Sequence, residues 1–154
     1  MDEDKYKCVR NNEAPIACAF EKSILALRLC CSMANKINIA EREVIRCEAD
    51  EFQLECCEWL RILRNKSKFS LQLTDIVDFD KALPHAKEMK VQVGGIRGLV
   101  LLLEKEGREL TNRKVGLPDV FLTLTESRKR YGRYGDFPFG QLVKSVASFS
   151  LRKD

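Results

Sequence analysis

The strongest constraint in this sequence is the return of apolar side chains every three to four residues, in segments broken by glycine, proline and asparagine. Phe52, Cys56, Trp59, Leu60 and Leu63 share one helical face. Upstream, Ile16, Phe20, Ile24, Leu27 and Cys31 repeat in the same way. Stripes of this kind can be buried only against other elements, so the chain must fold by packing short helices together.

A first helix is predicted from about Glu13 to Asn35. Asn11 or Asn12 can cap it, and Pro15 falls in the first turn, where a missing N–H costs least. Glu21, Arg28, Ser32 and Asn35 leave it only a narrow polar stripe, which makes it central. A second helical stretch spans Ile37 to Lys66, with a break near Glu48–Asp50. Its early half is ambiguous: Ile37 and Ile39 alternate like a strand, while Glu41, Val44 and Ile45 suit a helix. Phe69, Leu71 and Leu73 alternate between Lys68 and Thr74, which predicts a short strand. Pro84 limits a helix starting at Asp80 to about a turn, unless the proline itself lies in a first turn. Val91 and Val93 alternate ahead of Gly94 and Gly95. Ile96, Leu99, Val100, Leu103 and Leu110 then mark a further helix. Thr111, Asn112 and Gly116 make a loop. Another helix begins with Pro118 and runs from Leu117 to about Arg130. A Gly/Tyr loop follows, and a last helix carries Leu142, Val146 and Phe149.

The expected fold is therefore mainly α, a compact helical domain of about five helices with one or two short strands, and α+β is the alternative. The chain has 154 residues, enough for one domain that buries roughly 70% of its unfolded surface. Residues 1–154 read as a single domain, with 1–10 as a flexible N-terminal segment. Ile24, Leu27, Phe52, Trp59, Leu60 and Leu103 are the expected core. Hydrophobic residues are 45% and charged residues 32% of the chain, which sets disorder aside as the default.

No apolar stretch reaches the ~18 residues that cross a bilayer. The start, Met1-Asp2-Glu3-Asp4-Lys5, has neither the basic end nor the apolar run of a secretory signal. These features predict a cytoplasmic or nuclear protein without a membrane partner. Seven cysteines, an odd number, fall within the first 57 residues. In a reducing compartment they act as small hydrophobes, so they are expected to be reduced. Cys8, beside Lys7 and near Arg10, is expected to be the most reactive.

Catalysis has little support. His85 is the sole histidine; it stands in a charged neighbourhood and reads as exposed and non-catalytic. The acidic residues show no spacing that singles out an acid/base pair. Zinc sites commonly use C-x₂₋₄-C pairs, whereas Cys30–Cys31 and Cys56–Cys57 are adjacent and point about 100° apart on a helix. Cys31 and Cys56 both lie on predicted core faces, where distant cysteines can meet, but buried thiols between helices are the simpler reading. The segment Val91-Gln92-Val93-Gly94-Gly95-Ile96-Arg97-Gly98 offers glycines ahead of a helix. It fits neither G-x-G-x-x-G nor a Walker A motif, so it reads as a tight turn with a left-handed glycine. No catalytic residue, cofactor or metal is expected.

Charge is uneven. Residues 1–66 hold 11 basic and 12 acidic side chains, and residues 111–154 hold 9 and 4. Arg128, Lys129, Arg130 and Arg133 interleave with Tyr131 and Tyr134, and Lys144 can extend the surface. Arginines neutralise phosphates and aromatic rings stack on unpaired bases, so this segment is the candidate nucleic-acid or polyanion site. The competing explanation is a basic helix C-terminus closed by Gly132. The expected function is thus non-enzymatic nucleic-acid binding, with RNA and DNA both open. The alternative is a helical protein–protein adaptor or homodimer subunit, docking through Leu101 and Leu102.

Overall fold

The computed structural model describes residues 17–73 and 77–150. Among them it is mainly α, with two small antiparallel sheets. In chain order the elements are α1 (Glu21–Leu25), β1 (Ala34–Ile39), β2 (Arg42–Cys47), α2 (Asp50–Lys66), a composite α3, β3 (Thr111–Asn112), β4 (Leu117–Pro118), α4 (Val120–Tyr131) and α5 (Phe139–Ser148). The rod α3 is α-helical at His85–Met89, π-helical at Lys90–Gly94 and α-helical again at Gly95–Glu104. No helix among the described residues is long and apolar enough to cross a membrane.

The centre of the core is α3, which buries Val91, Val93, Ile96, Leu99 and Leu103. A helix surrounded by neighbours needs no polar face, and Arg97, Leu101 and Glu104 are the exposed residues of its last segment. Its glycines set how closely those neighbours approach. A Cβ at Gly94 would lie 2.7 Å from Cα of Val146, and one at Gly98 would lie 2.8 Å from Oγ of Ser145. On this side α5 therefore crosses against bare backbone. A Cβ at Gly95 would collide with Leu63 of α2. These glycines are helical, with φ of −63° at Gly94 and −64° at Gly95. This overturns both the alternating strand at Val91–Val93 and the left-handed glycine turn. The valines alternate only because Gln92, the polar residue between them, is itself buried.

The predicted helix of residues 13–35 is the largest correction. Among its described residues only Glu21–Leu25 is helical. Leu27 adopts φ 59° and is 72% exposed; Ile24 is half-buried, so neither is the core residue expected. Arg28 N–H closes the turn on the Ser23 carbonyl at 2.9 Å. The chain then runs extended, because Cys30 donates to the Pro118 carbonyl at 2.9 Å and accepts from Val120 N–H at 2.8 Å. Tertiary hydrogen bonds thus override the helical period. The other four expected core residues, Phe52, Trp59, Leu60 and Leu103, are buried.

The strand reading of Ile37 and Ile39 holds, and α2 begins at Asp50, at the expected break. Glu41, Val44 and Ile45 are not helical. Ala40 and Glu41, with φ of 48° and 70°, turn the chain tightly into β2, where Val44 pairs with Ile37. The strand predicted at 68–74 is absent among the described residues. Phe69 is 85% exposed, and Leu71 and Leu73 close successive turns onto Ser67 and Lys68 carbonyls. The helix expected to include Leu110 stops at Glu104. Leu110 is buried outside it, and its carbonyl accepts from Asp119 N–H at 2.9 Å. Asp119 then caps α4 by accepting from Leu122 N–H at 3.2 Å. The last helix lies where Leu142 and Val146 predict it.

Candidate functional site

The basic segment is built by the end of α4 and the turn after it. Gly132, at φ 94°, stops the helix, and one turn of 3-10 helix at Tyr134–Asp136 leads toward α5. Arg128, Lys129 and Arg133 line an open groove together with Phe52, Glu55 and Phe121; Glu51 also faces it. Arg130 pairs instead with Glu106 at 3.0 Å, and Lys144 is exposed on α5 outside the groove. The structure therefore gathers three of the five basic residues singled out in the sequence.

Each cation of the segment from Arg128 to Arg133 has an acidic neighbour. Arg128 reaches Glu55 at 3.4 Å, Lys129 reaches Glu126 at 3.1 Å and Arg133 reaches Asp136 at 3.5 Å. The tyrosines do not serve as free stacking platforms. Tyr134 is buried, its hydroxyl donates to Glu55 at 2.6 Å, and its ring packs 5.3 Å from that of Phe137. Burial, followed by the hydrogen bond to Glu55, pushes its hydroxyl pKa up. Tyr131 is half-buried, 5.7 Å from Phe137. The rings instead support guanidinium groups, with Arg128 4.7 Å above Tyr134 and Arg130 5.0 Å above Tyr131. The expectation that both tyrosines present a face to bases is corrected on these grounds.

A second polar cluster is structural. Glu88 on α3 accepts from Arg64 of α2 at 3.0 and 2.8 Å, from Leu83 N–H at 2.8 Å and from Gln92 at 2.8 Å. Arg64 also donates to the Phe79 carbonyl at 3.0 Å, and Gln92 accepts from Ser23 at 2.6 Å. Burial pulls the Glu88 pKa up. The bonds and charge of Arg64, with Leu83 and Gln92, outweigh it and hold the carboxyl below its ordinary range. Every bond is used within the core, so the network fastens α1, α2 and α3 together and leaves nothing for a ligand. His85 is exposed at the start of α3.

The feature that sequence reasoning undervalued is a small cavity near the hairpin. Cys18, Cys31, Cys47 and Cys56 all line it, with Phe20, Met33, Phe52 and Val120 among its apolar walls. Each thiol comes from a different place: ahead of α1, ahead of β1, the end of β2 and the middle of α2. Cys18, Cys30, Cys31, Cys47 and Cys56 are free thiols, whereas Cys57 is disulfide-bonded, which corrects the expectation that all the cysteines are reduced. Cys8 lies outside the described residues. Burial pushes the Cys31 thiol up to about 12 and raises those of Cys18, Cys47 and Cys56 as well. Compared with known proteins, the chain matches no family model, no curated protein and no solved structure at a significant level.

Proposed function

We propose that this chain is a non-enzymatic binding protein that takes a polyanion, nucleic acid above all, in the groove between α2 and α4. One observation carries the reading: Arg128, Lys129 and Arg133 line a single open groove with Phe121. Their ion pairs are all partly or largely exposed. Pairs of that kind contribute only ~0–1 kcal/mol and are screened by salt, so phosphates can replace the carboxylates as partners. Because Tyr131 and Tyr134 are packed inward, the groove reads phosphates and not base identity. Glu51 and Glu55 on the opposite wall oppose a polyanion and keep affinity modest.

Fluorescence-anisotropy titration with single- and double-stranded oligonucleotides tests this. Affinity should fall steeply with salt. Replacing Arg128, Lys129 and Arg133 together by Gln should reduce the magnitude of the log–log salt slope by about 2 to 3. An unchanged slope and affinity in that variant removes the proposal.

A further inference from the structure

We infer, resting on the polyanion reading of the same groove, that its ligand is single-stranded nucleic acid and that the Phe121 ring is the platform on which an unpaired base stacks. Phe121, Thr125, Arg128, Lys129 and Gly132 all line the groove. They return every three to four residues, so they lie along one side of α4. Phe121 stands near the start of that side and the cations near its end. Seven residues separate Phe121 from Arg128, about 10 Å along the helix axis. One ligand can therefore meet an aromatic ring and a row of cations at once.

Two aromatic residues line the groove. Phe52 is buried and Phe121 is half-buried, so Phe121 is the ring a ligand can reach. Phe52 braces it edge to face, with centroids 4.9 Å apart and planes at 77°. The main chain on either side is fixed as well. Val120 N–H donates to the Cys30 carbonyl at 2.8 Å, and Leu122 N–H donates to the Asp119 carboxylate at 3.2 Å. A ring held in this way loses little freedom when a ligand covers it. The groove has a volume of about 620 Å³, inside the ~300–1,000 Å³ of clefts that take small organic molecules. An unstacked base fits there.

Charge and stacking favour different ligands. A duplex carries one charge per ~1.7 Å and a single strand one per ~3.4 Å, so cations alone bind the duplex more tightly. Stacking reverses that order. In a duplex the faces of each base are covered by its neighbours, and a base reaches a side chain only when flipped out. An unpaired base offers its face directly to an aromatic ring. Glu51 and Glu55 on the α2 wall repel phosphates, which keeps the strand's backbone on the Arg128, Lys129 and Arg133 side. The uncharged face of a base is then the part of the strand that Phe121 can take. Every base has such a face, so this contact tolerates sequence, in keeping with cations that meet phosphates.

The test is fluorescence anisotropy on the full chain with labelled probes of one length: oligothymidylate, oligouridylate, a DNA duplex and an abasic single strand. The parent should bind the better of the two unmodified strands about tenfold more tightly than the abasic strand, and more tightly than the duplex. Which of the two is better identifies the sugar. Phe121→Ala should bind unmodified and abasic strands alike, with the parent's log–log salt slope, because stacking releases no counterions. Phe121→Trp should restore the preference. Circular dichroism of each variant distinguishes loss of the platform from loss of the fold. Should Phe121→Ala unfold for want of packing on Phe52, Phe121→Leu keeps the apolar bulk, lacks the ring and should lose the preference in the same way. A duplex or abasic strand bound as tightly as the unmodified strands, or a preference undiminished in Phe121→Leu, overturns the inference. The variant lacking Arg128, Lys129 and Arg133 separates the two readings. If it loses affinity while the abasic strand binds as well as the others, the polyanion groove stands and the stacking platform falls. If it binds every probe as the parent does, both fall.

Discussion

Adding one methyl group at Gly94 and one at Gly140 should move stability in opposite directions. Both glycines lie in helical segments, and alanine is the better helix former by up to about 1 kcal/mol. At Gly94 the new Cβ would meet Cα of Val146 at 2.7 Å, the Ser145 carbonyl oxygen at 2.9 Å and N of Val146 at 3.1 Å. All three atoms are backbone, so no side chain can swing aside and α5 itself must retreat. Overpacking of a tight core costs ~1–3 kcal/mol. Backbone opposition places this site at the upper end, and subtracting the helix gain leaves a loss of about 2 kcal/mol. At Gly140 nothing lies within 4 Å of the added atom. It sits one residue inside the start of α5, so the gain there is about 0.5 kcal/mol.

Thermal unfolding followed by circular dichroism reads both changes. For a chain of this size, 1 kcal/mol corresponds to roughly 2–4 °C in Tm. Gly94→Ala should lower Tm by about 4–8 °C, and Gly140→Ala should raise it by about 1–2 °C. A Gly94→Ala variant as stable as the parent would show that α5 does not cross α3 against bare backbone, and the packing derived from these glycines would fall.

Two further measurements probe the core. Trp59 is fully buried, with its ring 5.0 Å from that of Phe137 and 5.8 Å from that of Phe139; Trp59→Ala should cost ~3–5 kcal/mol by denaturant titration. Its indole N–H has no hydrogen-bond partner among the described residues, so Trp59→Phe should cost much less than the alanine variant; equal losses would contradict that placement. Glu88→Gln leaves Arg64 buried without its counter-charge and should cost ~3–5 kcal/mol at neutral pH. Glu88 has its folded pKa lowered, so its stabilisation is present above the unfolded value of about 4.3 and is lost as pH falls through the folded one. The stability difference between parent and Glu88→Gln should therefore shrink below about pH 4, and a constant gap down to acid unfolding would refute the linkage.

Legibility in the sequence followed where each segment's partners lie. The segment α2 shows a clear stripe because one side faces the core and the other faces water: Phe52, Cys56, Trp59 and Leu60 are buried while Glu51 and Glu58 are exposed. The rod α3 hides its period because neighbours cover it on several sides, so Val91, Gln92, Val93 and Gly94 are all buried in succession. The hairpin lacks the Asn-Gly or Asp-Gly signal of a tight two-residue turn. It uses Ala40 and Glu41 at positive φ, a conformation these residues adopt only under tertiary constraint. The false helix upstream has its apolar spacing by composition, while Ser32 bonds its N–H and hydroxyl to Asp119, a residue 87 positions away. No local pattern reports such a partner.

The basic run and the cysteine-lined cavity differ in legibility for the same reason. A basic run is visible in sequence because its charges are adjacent, yet two of its counter-ions are far away in the chain: Glu55 stands 73 positions before Arg128, and Glu106 stands 24 before Arg130. The sequence therefore overstates free positive charge. The cysteines show the reverse error. A chelating motif is recognised by short spacing, because a single turn can then deliver two ligands to one ion. In this chain no turn delivers two. Each vicinal pair contributes one thiol to the cavity, Cys31 from the first and Cys56 from the second, and the hairpin that follows Cys31 brings in Cys47. Thiols gathered one from each of four chain segments have no local signature, and only the packing of the residues before α1, the hairpin and α2 brings them around one space.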